Sequence, residues 1–167
     1  MRLTDYTDYS LRALIYVAVN PDELVTIQNI AEAFSIPKNH LIKIVQRLAQ
    51  AGLLQTVRGR MGGVRLGKPA ADINIGEVVR VTEPDFRLVE CFQQEDNHCV
   101  ITRVCGLRSV LASALQAYLD VLDGYTLQDL VENRTALSRA MGTGTDGGMP
   151  ISLAQLRGKV GNRTQRV

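Results

Sequence analysis

The sequence predicts a mainly α-helical chain that carries one small β-hairpin. Three observations predict it. In the first fifty residues, apolar side chains recur at helical spacing in three successive segments. Residues 53–66, LLQTVRGRMGGVRL, then change to two short runs on either side of a loop rich in glycine. Further on, an apolar stripe of more than four helical turns begins at Leu107. Hydrophobic residues make up 46% of the 167, but aromatics only 5% and tryptophan is absent, so the core must be aliphatic.

Leu11, Leu14, Ile15 and Ala18 form one face of a first helix, which Asn20-Pro21 ends. Thr26 caps a second, with Ile27, Ile30, Ala31 and Phe34 as its apolar face. Ser35-Ile36-Pro37 is a tight turn. The third helix carries Leu41, Ile44, Val45 and Leu48, and Gly52 stops it. Leu53–Val57 and Val64–Leu66 read as strands. The loop Arg58–Gly63 between them suits a hairpin with positive-φ positions. Helix, helix, three-residue turn, longer helix and hairpin is the order of a winged helix-turn-helix.

Ile75, Val78 and Val79 suggest a short fourth helix, ended by Glu83-Pro84. The long stripe runs through Leu107, Val110, Leu111, Ala114, Leu115, Tyr118, Leu119 and Leu122 to Gly124. Thr126, with Asp129 three residues on, caps a last helix containing Leu127, Leu130 and Val131. From Met141 the composition turns glycine-rich and then polar and basic, as a flexible tail would. The expected organisation is a winged domain over 1–83, a cysteine loop over 84–106, a dimerisation helix with a C-terminal helix over 107–140, and a tail over 141–167.

Net charge is only +2, yet between Glu32 and Asp72 there is no acidic residue. The same stretch holds Lys38, Lys43, Arg47, Arg58, Arg60, Arg65 and Lys68. Such a block points to a polyanion partner. On the third helix Lys38, Asn39, His40, Lys43, Gln46 and Arg47 lie away from the apolar stripe, which suits a helix that reads the major groove of double-stranded DNA. Arg58 and Arg60 on the wing, with Arg65 on the following strand, would reach phosphates or the minor groove. One module makes few contacts, so a palindromic operator read by a homodimer is expected. Leu107, Leu111, Ala114, Leu115, Tyr118 and Leu122 are the candidate dimer contacts.

The apolar run Ala13–Val19 is short and is preceded by Asp5 and Asp8, and no stretch approaches a membrane span. A soluble cytoplasmic protein is expected. No glycine-rich nucleotide loop and no Ser/His/Asp set is visible, and His40 and His98 are the only histidines. The pattern therefore does not suggest an enzyme.

All three cysteines, Cys91, Cys99 and Cys105, fall in CFQQEDNHCVITRVC. Buried structural cysteines, a zinc site, a thiol–disulfide switch and an iron–sulfur cluster are the readings available. The intervening segment is polar and makes poor core. No C-x2-C or C-x4-C knuckle is present for zinc, and His98 is adjacent to Cys99. A switch would not need three thiols. Thiolates on a long loop suit an iron–sulfur cluster, and three of them leave one iron to another ligand.

Together the stretches MRLTDYTDYSLRAL, PKNHLIKIVQRLAQAG, VRGRMGGVRLGKPA, INIGEVVRVTEP, CVITRVCGLRSVL and LDGYTLQDLVEN resemble the NsrR family of nitric-oxide-sensing repressors. Those proteins lie in the winged-helix superfamily that also contains the iron–sulfur regulator IscR. The resemblance covers about residues 1–140. It implies a homodimeric repressor released by nitric oxide, with one iron–sulfur cluster per subunit held by Cys91, Cys99 and Cys105. It implies a [4Fe-4S] cluster, with [2Fe-2S] as the alternative. It makes Asp8, from the other subunit, the candidate fourth ligand. The sequence departs from the IscR pattern in the seven-residue first spacing and in having Gly106, Leu107 and Arg108, with no histidine, after the third cysteine. A sensor of iron–sulfur status or redox state is the rival reading, and a zinc-binding DNA-interaction module is the third.

Overall fold

The structure is a computed structural model that describes residues 2–59, 61–93, 95 and 97–143. Arg60 and the part of the expected tail from residue 144 onward lie outside the described residues. The elements are α1 (Asp5–Val19), α2 (Ile27–Phe34), α3 (Lys38–Gln50), β1 (Leu54–Val57), β2 (Gly63–Leu66), α4 (Ile75–Thr82), α5 (Gly106–Asp123), α6 (Leu127–Leu130) and α7 (Arg134–Ala140). Short 3₁₀ turns stand at Ala70–Asp72 and Glu90–Phe92. The expected mainly helical, winged fold is what the chain forms.

Local chemistry sets the boundaries. Thr4 caps α1 by accepting from the Thr7 N–H. Thr26 and Asn29 form a reciprocal capping box on α2, and Thr126 and Asp129 form another on α6. After α2, Ser35 takes the left-handed conformation at φ 54°, which turns the chain into α3. Gly52 at φ 73° ends the turn after α3, where a Cβ would be strained.

The core sits where α1, α3 and the sheet meet. Leu14, Ile30, Leu41, Ile44, Leu48, Leu53, Ile73 and Leu127 are fully buried in it. Each such side chain contributes about 1.5–3 kcal/mol by leaving water. The antiparallel hairpin pairs Leu54 with Leu66 and Val57 with Gly63. Val25, before α2, adds a further rung: its N–H donates to the Val64 carbonyl at 3.0 Å and its carbonyl accepts from Val64 at 2.7 Å. The β2 edge of the wing is therefore stitched to the helical body.

Helix α5 stands differently. Of its 18 residues only Leu119 is buried. It lies along α4, and Asp123 fastens its last turn: Arg80 donates from Nη1 and Nη2 to the two carboxylate oxygens at 2.6 and 2.7 Å. This pairing holds the Asp123 carboxyl below the usual carboxylate range and raises Arg80. Asn74 adds a bond from its side-chain amide to the Asp123 carbonyl at 2.7 Å. Gly76 makes room for the pair, because a Cβ there would lie 1.8 Å from an Asp123 oxygen.

Candidate nucleic-acid interface and cysteine segment

Helix α3 divides cleanly. Leu41, Ile44, Val45 and Leu48 are buried, whereas Lys38, Asn39, His40, Lys43, Gln46 and Arg47 are all exposed, as the 3.6-residue period requires. The helix contains no carboxylate. Its front and the wing share one side of the molecule: Lys38, Thr56, Val57, Gly62 and Gly63 line a single cleft of about 320 Å³. Arg58 is exposed at the end of β1. Arg65, directly across from Gln55, donates from Nε to the Gln55 amide oxygen at 2.8 Å, so its guanidinium is laid along the hairpin.

Two contacts tie α3 to its neighbours. The Tyr6 hydroxyl of α1 donates to the Lys43 carbonyl at 3.3 Å. Burial pushes the Tyr6 phenol up, and the Arg47 charge offsets part of that. Arg47 donates from Nε and Nη2 to the Val81 carbonyl in α4, both at 3.4 Å. Two residues further on, the Glu83 carboxylate accepts from the Thr4 N–H at 2.8 Å and from the Thr4 hydroxyl at 3.2 Å. The last turn of α4 and its cap thus bind α5, α3 and α1, and the chain then enters the cysteine segment. Neither Tyr6 nor Glu83 is legible in these roles from periodicity, since each meets a partner remote in the chain. Gly76, a glycine inside a helical pattern, was the signal available for a close approach.

The cysteine segment runs over the end of α4 toward α5. Cys91 lies in the Glu90–Phe92 turn, and Cys105 stands at the N-cap position of α5 without a side-chain capping bond. Cys99 donates its N–H to the Asn97 side chain at 3.2 Å, and its carbonyl accepts from the Thr102 hydroxyl at 2.7 Å. The Glu90 carboxylate accepts from the His98 N–H, which links the neighbours of Cys91 and Cys99. All three thiols are free and half-buried. Among the described residues no group of three or more His, Cys, Asp or Glu side chains is gathered to hold a metal, so this chain alone does not bring the three thiols together. In donor chemistry they fit a thiolate-held cluster, being unbridged and within reach of solvent. Asp8, in the first turn of α1, is held by Arg12 at 2.6 and 3.0 Å.

The six candidate dimer residues separate into two rows. Leu111, Leu115 and Tyr118 face inward and line a cavity of about 550 Å³ with Leu3, Pro84 and Phe86, and Leu122 packs on the core. Burial and the nearby Glu83 carboxylate push the Tyr118 phenol up. Leu107 and Ala114 face solvent, together with Val110, Ala117 and Val121. This outer row steps by three and four residues alternately, the spacing of an apolar coiled-coil seam. Leu107, Val110 and Val121 are each about 60% exposed.

A basic helix without carboxylates, set beside a glycine-rich wing on a helical body, defines a winged-helix protein of the kind that binds DNA. The chain belongs to the Rrf2 family, described as iron-dependent transcriptional regulators, whose profile matches residues 3–133. It is 58% identical over 142 residues to the HTH-type transcriptional regulator NsrR of Bacillus subtilis, an alignment covering 84% of this chain and 97% of that protein. It is 56% identical over 142 residues to the NsrR regulator of Bacillus licheniformis, covering 84% and 99%. The resemblance to NsrR proteins read from the motifs agrees with these relatives. Among solved structures it is similar to T. potens IscR, with a TM-score of 0.65 at 24% identity over 80% of this chain and 88% of that one. It is also similar to CymR of B. subtilis, titled the global cysteine regulator, with a TM-score of 0.64 at 27% identity over 80% and 98%. The family is one of transcriptional regulators and not of enzymes, as the sequence suggested. Among the described residues no helix is long and apolar enough to cross a membrane.

Proposed function

We propose that the chain is a cytoplasmic, homodimeric repressor that binds a palindromic operator and releases it when nitric oxide acts on an iron–sulfur cluster. The observation that carries the reading is the placement of three free thiols on a segment anchored at α4, whose last turn also holds Arg47 of the recognition helix. When bound, an iron–sulfur cluster, [4Fe-4S] by the resemblance, supplies iron that nitric oxide attacks. Cys91, Cys99 and Cys105 would hold it, with the partner's Asp8 as fourth ligand.

The chain's own residues do the rest. Lys38, Asn39, His40, Lys43, Gln46 and Arg47 face the major groove, and Arg58, Arg60 and Arg65 serve the wing. Leu107, Val110, Ala114, Ala117 and Val121 make the seam between subunits, which sets the spacing of the two recognition helices. Arg12 orients the Asp8 carboxylate here, and its two oxygens keep lone pairs that a metal could use. Glu83 joins the cysteine segment to α1, and Val81 joins α4 to α3. Rearrangement of residues 84–105 therefore acts on the orientation of α3.

The test is a spectrum of protein purified without oxygen, with iron and sulfide counted, followed by operator affinity before and after nitric oxide and in Cys91→Ala. A brown protein bleached by nitric oxide, with DNA affinity falling alongside, supports the reading. Equal affinity in all three states would remove the switch and leave a DNA-binding dimer. Colourless protein with stoichiometric zinc would favour the zinc-binding module.

A further inference from the structure

We infer that Met61, at the tip of the wing, is a specificity-determining contact that packs into the DNA minor groove and disfavours guanine there. The inference rests on the proposed DNA binding. Met61 is 87% exposed. The other large apolar side chains exposed by half or more among the described residues, Val100, Ile101, Val104, Leu107, Val110 and Val121, all belong to the cysteine segment or α5. Met61 alone lies in the basic block, three residues after Arg58 and next to Arg60 in sequence.

The turn that carries it is tightly built. Gly59 has φ 122°, which an L side chain rarely adopts. The Gly62 N–H donates to the Gly59 carbonyl at 3.0 Å, closing the loop. A Cβ on Gly62 would fall 2.4 Å from the Val57 carbonyl oxygen, so the two limbs of the wing touch there. Between Gly59 and Gly62, Met61 is the one bulky apolar residue of a narrow, basic tip. A narrow tip of this kind suits the minor groove, about 6 Å wide.

Apolar wedges, methionine included, are used against minor-groove walls. The floor of that groove is smooth over A·T pairs, but G·C pairs raise the guanine 2-amino group from it. A thioether offers that amino group no good acceptor and meets it sterically. Met61 should therefore add a preference for A·T pairs at the wing positions, beyond anything the arginines contribute through charge.

The experiment uses the whole dimer and duplexes selected from a random-sequence pool, with the flank contacted by the wing varied. Inosine·C presents a minor groove without the amino group, and diaminopurine·T adds one to an A·T-like pair. The expected result is binding to A·T and inosine·C flanks about tenfold tighter than to G·C and diaminopurine·T flanks. Met61→Gly and Met61→Ser should lose that discrimination, and Met61→Leu should keep most of it. The dependence of affinity on salt should stay as in the wild type for all three, whereas Arg58→Ala should flatten it. Discrimination kept by Met61→Gly, or none in the wild type, overturns the inference and leaves DNA binding standing. A wild-type dimer that selects no duplex overturns both.

Discussion

Replacing Gly67 by alanine tests how the wing is joined to α3. A Cβ at Gly67 would lie 2.3 Å from the Gly52 carbonyl oxygen, 3.0 Å from the Gly52 carbonyl carbon and 3.2 Å from the Leu54 carbonyl carbon. All three are backbone atoms, so no rotamer change relieves the overlap. The backbone they belong to is itself pinned. Gly52 donates to the Ala49 carbonyl at 3.0 Å, Leu53 to Leu48 at 2.9 Å, and Gly67 to Leu53 at 3.0 Å. Relief requires the hairpin to swing away from the end of α3 and to weaken the Gly67–Leu53 bond. Overpacking of this kind costs about 1–3 kcal/mol, and the strained hydrogen bond adds roughly 1. The expected loss is about 3 kcal/mol, or a melting temperature roughly 10 °C lower for a domain of this size. Urea unfolding followed by helical circular dichroism measures it. The displaced wing should also weaken binding to DNA of any sequence. Gly106→Ala is the control: a Cβ there meets nothing within 4 Å, at the first position of a helix, so stability should hold or rise. Gly67→Ala protein within about 0.5 kcal/mol of wild type would refute the reasoning from these contacts.

Arg47→Ala should weaken specific operator binding by about 1–3 kcal/mol if the guanidinium leaves Val81 for a base, measured as the difference between operator and random duplex. Val110→Asp places a charge on the outer row of α5 at a site already exposed, so the helical spectrum should stay and sedimentation should report a monomer. An unchanged dimer mass would place the seam elsewhere. Asp123 is held below the usual carboxylate range by its hydrogen bonds from Arg80, so its stabilisation is present above that range. It is lost as pH falls through the depressed folded-state value. Asp123→Asn should therefore be less stable than wild type at neutral pH and equal to it in strong acid, by unfolding at each pH.

The readable features of the sequence were those governed by local chemistry. Thr26 and Thr126 announced caps because a hydroxyl three residues ahead of Asn29 or Asp129 satisfies helix N–H groups whatever surrounds it. The exposed face of α3 was readable because burying Leu41, Ile44, Val45 and Leu48 leaves Lys43, Gln46 and Arg47 one place to point. Helix α7 was missed: RTALSRA has too few apolar residues to form a stripe, and it is Leu137 packing on the core that holds it. The rung from Val25 is one residue long and has no period. In α5 apolar residues occupy two adjacent rows. Only the inward contacts of Leu111, Leu115 and Tyr118 show that the outer row through Val110 and Val121 is the free one.

The eight residues of α4 and the Glu83 that follows them join the start of the cysteine segment to α3 without a long lever. Arg80, Val81 and Glu83 are nearly consecutive, yet their partners lie on α5, α3 and α1. Arg80 reaches out through its side chain, Val81 through its carbonyl and Glu83, in extended backbone past the helix end, through its carboxylate, so one short stretch holds three elements. Arg47 makes two long bonds of 3.4 Å to a single carbonyl, a contact that a phosphate or a guanine would replace with shorter, charge-assisted ones. Its hold is therefore weak enough to exchange. Glu83 makes the firmer contact at 2.8 Å, immediately before Pro84 fixes the direction of the chain into the cysteine segment. Under the proposed function, a change in residues 84–105 pulls first on Thr4 and α1, and α3 follows through Tyr6 and Val81.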